Sequence, residues 1–194
     1  MATDLNGNSF VRTKNVNEPE GIYEGTRAVT IQGYVEANVK NGVQHEGSTL
    51  LTIAGLASND TIFLTGSLPV ALKGRIISYT GDGVTGEVFE TPSYTGGASV
   101  PYQNANTINP VAGLSQIIVG STVTDDGTLA FAPTYSLGNT SNQGKGATDT
   151  GIPTEHILKP NTAYLLRLTS LDSASQQVSS FLTWYEGELD LPVE

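Results

Sequence analysis

The residues able to do chemistry in this sequence are few and widely spread. The only histidines, His45 and His156, each stand beside an acidic residue, Glu46 and Glu155. With one of the many serines, either could be drawn into a nucleophile–base–acid set, since imidazole can take a proton that a carboxylate then helps it hold. No G-x-S-x-G turn is present to expose such a serine, so both histidines read as surface residues. The 19 acidic residues guarantee that some carboxylates lie close together, and a glycosidase needs only two. Abundance alone explains that proximity, and a non-enzymatic protein is the expectation.

Three further patterns resemble sites and have simpler readings. Gly81-Asp82-Gly83-Val84-Thr85-Gly86 matches the glycine spacing of a dinucleotide loop. That chemistry needs a helix to open at the loop and turn its amides toward a pyrophosphate. The next residues, Glu87-Val88-Phe89-Glu90-Thr91-Pro92, are a strand-like run instead, so the glycines predict a hairpin turn. Asp82, Asp125, Asp126 and Asp149 lie in glycine-rich turns but lack the spacing of a calcium loop. Asn59-Asp60-Thr61 and Asn139-Thr140-Ser141 match a glycosylation sequon, and without a secretion signal both read as turns. The acidic end from Glu186 to Glu194 reads as solvated, or as meeting a basic partner.

The elements that must carry these residues are strands. Tyr164, Leu166 and Leu168 alternate with Leu165, Arg167 and Thr169, and Val178, Leu182 and Trp184 alternate with Phe181, Thr183 and Tyr185. A period of two puts each set on one sheet face. The two runs, separated by Asp172-Ser173, predict a hairpin whose strands are apolar on both sides. Such strands are covered by a second layer of their own domain or by a neighbouring subunit.

Upstream, Val35, Ala37 and Val39 alternate with Tyr34, Glu36 and Asn38 and end at Asn41-Gly42, a second predicted hairpin. Further strands are expected at Thr49–Ile53, Thr61–Leu64, Arg75–Thr80, Glu87–Glu90, Leu114–Val123 and Thr128–Phe131. Breaks fall at Asn59-Asp60 and Ser67-Leu68-Pro69, and a turn at Asp126-Gly127. Pro92, Pro101 and Pro110 make Thr91–Gly113 a long surface loop, and Gly138–Gly151 reads as a second, glycine-rich one.

Composition supports this reading. Gly (22) and Pro (9) are frequent while charged residues make up only 14%, which argues against a helical protein. The fold expected is all-β, an antiparallel sandwich of roughly ten strands with a jelly roll as leading topology. Residues 26–194 form that domain, large enough to need no disulfide, and residues 1–25 an extended arm. The arm either packs on its own domain or orders on a neighbouring subunit, through Phe10, Val11, Ile22 and Tyr23. A net charge of −10 repels nucleic acid. The absence of cysteine excludes thiolate chemistry and cysteine-based metal sites. No apolar run is long enough to cross a membrane. No cofactor is implied.

Several blocks resemble those of small virion proteins of tailed bacteriophages. They are Ser78-Tyr79-Thr80-Gly81-Asp82-Gly83-Val84, Pro92-Ser93-Tyr94-Thr95-Gly96-Gly97, Ile108-Asn109-Pro110, Gly138-Asn139-Thr140-Ser141-Asn142-Gln143-Gly144, Leu158-Lys159-Pro160-Asn161-Thr162 and Leu182-Thr183-Trp184-Tyr185-Glu186-Gly187. The most telling is Leu158–Thr162 with Tyr164-Leu165 and the later Thr183–Glu186. The likeness spans roughly Arg75 to Pro192.

The resemblance implies a β-sandwich without catalytic activity that decorates or cements the capsid shell. Its partners would be the major capsid protein and itself, as a homotrimer, on the exterior of a virion assembled in the host cytoplasm. Beside the arm, Phe181 and Tyr185 are the candidate subunit or capsid contacts, because a large aromatic buried by a neighbour contributes roughly 1.5 to 3 kcal/mol. The alternative is a tail-associated or receptor-binding module, with Tyr94 and Tyr102 exposed to stack on sugar rings.

Overall fold

The period-two runs around Leu166 and Leu182 form strands, and their buried sets face one another across two packed antiparallel sheets. The structure is a computed structural model and describes residues 2–3, 9–10, 34–138, 147–150 and 155–187. The chain divides into two units, Met1–Ile31 and Gln32–Glu194. In the first, β1 (Ala2–Thr3) and β2 (Ser9–Phe10) pair antiparallel. The rest of the expected arm lies outside the described residues.

The second unit begins with a short helix, α1 (Tyr34–Lys40), where alternation predicts a strand. The turn pair Asn41-Gly42 closes it as a helix cap. Gly42, at φ +71°, donates to the carbonyl of Val39, and Val43 donates to that of Asn38. An Asn-Gly pair suits a hairpin turn and a helix C-terminus alike, since both need a left-handed residue.

After the helix come β3 (Gln44–Ile53), β4 (Ser58–Leu64), β5 (Val70–Tyr79) and β6 (Gly83–Glu90). The shorter β7 (Ser93–Thr95), β8 (Ala98–Val100), β9 (Gln103–Asn104), β10 (Gln116–Val119) and β11 (Thr122–Asp125) come next. Then come β12 (Thr128–Leu129), β13 (Thr134–Leu137), β14 (Ala147–Thr150) and β15 (His156–Leu158). The long β16 (Ala163–Ser170) and β17 (Gln176–Glu186) close the fold.

A seven-stranded sheet has the order β12-β6-β16-β4-β10-β8, with β13 also on β6. A six-stranded sheet has the order β14-β5-β17-β3-β9, with β15 also on β5. β7 and β11 form a separate ribbon.

The hairpin expected of β16 and β17 does not exist. β16 pairs with β4 and β6, and β17 with β3 and β5, so the two strands lie in opposite sheets. Alternation reveals which side chains share a face but not which strand lies alongside. Gly81–Gly83 is likewise no hairpin turn, because it carries the chain from β5 in one sheet to β6 in the other. Gln176, 3% exposed, spans the two crossings: it accepts from the Gly81 amide and donates to the Gly83 carbonyl and the Ser170 hydroxyl.

Smaller corrections have the same physical origin. Asn59-Asp60 lies inside β4 instead of breaking it, the supposed loop 91–113 contains β7, β8 and β9, and the second contains β14. The strand expected at Leu114–Val123 is two strands, β10 and β11, which bend apart at Gly120. Asp126-Gly127 leads from β11 on the ribbon to β12 on β6, so it too joins strands that do not pair with each other.

The inner faces match the predicted sets. Tyr164, Leu166 and Leu168 of β16 meet Val178, Leu182 and Trp184 of β17, all at most 3% exposed. Burying each contributes roughly 1.5 to 3 kcal/mol. One inner position breaks the apolar pattern. Thr183 is opposite Gly74 while Trp184 is opposite Leu72, so Lys73 is an extra residue in β5. A bulge reverses which side chains point inward. Before it Val70 and Leu72 enter the core; after it Arg75, Ile77 and Tyr79 do. Gly86 on the facing sheet leaves the room, its missing Cβ lying 3.6 Å from Arg75 Nη1.

Candidate interaction surfaces

The outer faces of the two sheets differ in how they are finished. On the seven-stranded sheet, Ile62 and Leu165 point outward from adjacent strands yet are fully buried. The β7–β11 ribbon accounts for this. It leaves the sheet at the β8/β10 edge through Gly96-Gly97 and Gly120-Ser121, and its far end reaches the opposite edge, where Gly127 abuts the carbonyl of Glu90. The ribbon therefore crosses the face between.

Arg167 fastens it. Its guanidinium donates to both oxygens of Asp60 on β4 (2.8 and 3.0 Å) and both of Asp126 beyond the ribbon (2.5 and 2.7 Å), and sits 5.6 Å from the Phe89 ring centre. Hydrogen bonds from Arg167 hold the Asp126 carboxyl below its usual range. Asp126 is thus an ion-pair anchor, with turn formation its lesser role.

On the six-stranded sheet the outer face is left partly open. Phe181 stands opposite Ser48 on one side and Ile76 on the other, and Tyr185 opposite Gln44 and Ala71. Both aromatics are half-buried. Around them Leu50 is 70% exposed, Ile157 41% and Ile76 37%. Beside Phe181 a cleft of about 220 Å³ is lined by Glu46, Gly47, Ser48, Pro101, Tyr102 and Gln103.

Beneath that cleft lies the densest aromatic packing among the described residues. Trp184 is fully buried, with Tyr102, Phe63 and His45 at centroid distances of 4.9, 5.3 and 5.7 Å. Gly47 permits this approach: a Cβ there would fall 2.6 Å from Ile117 Cδ1 and 3.1 Å from Tyr102 Cβ. Glu186 completes the cluster. It accepts from Trp184 Nε1 (2.9 Å), the Leu114 amide (2.6 Å) and the Ser115 amide (3.1 Å). Burial pushes its carboxyl up, and these donors more than offset that, leaving it below the usual range. Burial lowers His45, opposed by the Glu186 charge, and burial with that charge pushes the Tyr102 phenol up to about 12.

These positions correct several expectations. His45, expected at the surface, is 2% exposed. His156 is half-buried, stacked on Phe131 at 3.9 Å, and its pKa is lowered by burial. Tyr102 turns its ring inward to Trp184, and Glu186, expected in a solvated end, is 5% exposed. Glu155, the acidic neighbour of His156, pairs with Lys73.

Of the candidate contacts, Phe181 and Tyr185 share the outer face of the six-stranded sheet. Phe10 falls in β2, with its side chain outside the described set, and Val11, Ile22 and Tyr23 lie outside the described residues. Among the described residues no three acidic or imidazole side chains are grouped to hold a metal ion. Residues 104–115, expected as loop up to Gly113 and as strand from Leu114, run irregularly from the end of β9 to β10. Asn104 and Asn106 stitch this segment to the end of α1 through the Gly42 and Lys40 carbonyls, while Ile108 at its tip is 94% exposed. The sequence matches no protein-family model and no curated protein.

Proposed function

We propose that this chain is a structural protein of a phage particle that decorates and stabilises the capsid shell, binding between major capsid protein subunits as an oligomer. The observation that carries the reading is the contrast between the two outer faces. One is roofed by the chain's own ribbon, while the other keeps Leu50, Ile76, Phe181 and Ile157 partly exposed. An apolar face on a preorganised sheet suits a protein partner, because little ordering is lost on binding. The resemblance of several residue blocks to those of small virion proteins favours the same class.

The strand order also supports the finer reading of the sandwich as a jelly roll. β15-β5-β17-β3 lie in one sheet and β13-β6-β16-β4 in the other, with successive long strands alternating between them. The test is co-sedimentation of purified protein with phage heads that lack it. Saturable binding, weakened by Leu50→Asp and Phe181→Ala with the fold intact, is the expected result.

A second reading, a glycan-binding virion module, is favoured by the cleft beside Phe181. It sets an aromatic wall next to the side chains of Glu46, Ser48 and Gln103, groups that can hydrogen-bond sugar hydroxyls. Line broadening of these residues on titration with neutral oligosaccharides would put this reading first.

A further inference from the structure

Between Glu90 and Asp125 the sequence contains no Asp, Glu, Lys, Arg or His, although the chain as a whole carries a net charge of −10. The fold gathers this run on one side. It supplies the ribbon over the seven-stranded sheet, the edge strand β8 of that sheet, the edge strand β9 of the other, and the loop 104–115 between them and β10.

That loop is braced throughout. Asn104 Nδ2 donates to the Gly42 and Val111 carbonyls, and Asn106 Oδ1 accepts from the amides of Ile108 and Asn109. Val111 donates to the Gly42 carbonyl, and Glu186 holds Leu114 and Ser115. Yet its apolar side chains face outward: Ile108 is 94% exposed, Val111 48% and Leu114 47%. Fixing a loop costs roughly 1 to 2 kcal/mol of backbone entropy per residue, and here no core burial at the tip offsets it.

We propose that the surface built by this charge-free run is the one through which the chain associates with further copies of itself, with Ile108, Val111 and Leu114 inserted at the contact. The occupant is argued from charge. A basic partner would be recognised through the acidic remainder of the surface, whereas an acidic chain meeting its own copy must do so where like charges do not oppose. Edge strands β8 and β9 lie on the same side and are covered in the assembly. The proposal rests on the oligomeric decoration role and names its self-contact, leaving the open sheet face for the shell.

The test is sedimentation equilibrium of the full chain. The wild type is expected to form a closed oligomer whose association strengthens as salt rises, because salt screens repulsion between acidic protomers while leaving an uncharged contact intact. Ile108→Glu, at an exposed position, should raise the dissociation constant at least tenfold with the circular dichroism spectrum unchanged. Leu50→Asp on the open face should leave the mass unaltered. A monomeric wild type, or an Ile108→Glu variant that associates as the wild type does, would overturn the proposal. So would a monomer that loses head binding on Ile108→Glu, since the loop would then meet another protein. An oligomer sensitive to Ile108→Glu that fails to bind heads would uphold this contact and sink the shell reading.

Discussion

Trp184 and Glu186, two residues apart on the inner face of β17, are joined by a hydrogen bond from Nε1 to Oε1 at 2.9 Å. The same carboxylate takes the amides of Leu114 and Ser115, so one strand end orders both the aromatic core and the loop leading into β10. Glu186→Gln keeps the shape but replaces an acceptor oxygen with a donor facing donors. A loss of roughly 2 kcal/mol is expected in urea unfolding, with faster hydrogen exchange at the Leu114 and Ser115 amides. Unchanged exchange there would show that the clamp contributes nothing to the loop.

Stability should fall on acidification, for two reasons that add. Burial lowers the pKa of His45 and of His156, so the unfolded chain binds more protons and stability declines as pH drops below about 6.5. Glu186 has a lowered folded-state pKa. Its contribution is full above the unfolded value of about 4.3 and is lost as pH falls through the lower folded one. Melting temperature measured from pH 8 down to about 2.5 should therefore decline in two stages. Replacing both histidines by Gln should flatten the first stage alone; an unaltered profile would remove the histidines from the account.

Gly47 is where backbone and aromatic core come closest. Gly47→Ala places a methyl 2.6 Å from Ile117 Cδ1 and 3.1 Å from Tyr102 Cβ, and packed side chains on both sides must shift. The expected cost is roughly 1 to 3 kcal/mol, read as a lower urea midpoint with an unchanged slope.

Arg167 should be poorly replaced by Lys. The planar fork serves both Asp60 and Asp126, and a lysine can reach only one as a point charge. Asp126 is 43% exposed at its side chain, so screening limits the loss to about 1 kcal/mol. The sharper readout is hydrogen exchange at Gly127, which should quicken as the ribbon end loosens.

Thr91, between β6 and β7, sits at φ 58° although it is β-branched. Asn accepts that conformation more readily, and Thr91→Asn should stabilise by about 0.5 to 1 kcal/mol. A drop in melting temperature would mean that the Thr91 hydroxyl bond to the Glu90 carbonyl outweighs the strain.

Face is legible in the sequence, and strand partnership is not. The alternation around Leu166 and Leu182 identifies the inner side chains, because a strand's period fixes which way each Cβ points. It cannot reveal that β16 and β17 look at each other across the core, since adjacency in sequence favours a hairpin on average. Arg75 is out of reach because a single extra residue, Lys73, reverses the phase of β5. Glu186 finds its amide partners far away in the chain, at Leu114 and Ser115, so nothing local marks it. The charge-free run between Glu90 and Asp125 is plain in the sequence, yet it gains meaning only when the fold places it on one side.

The most direct test of the central claim is a cryo-electron microscopy reconstruction of phage heads lacking this protein after incubation with it. Regular density at symmetry-related sites on the shell, with the face bearing Leu50, Ile76 and Phe181 turned toward the capsid subunits, is predicted. Bare shells at saturating protein, or density confined to a tail vertex, would contradict it.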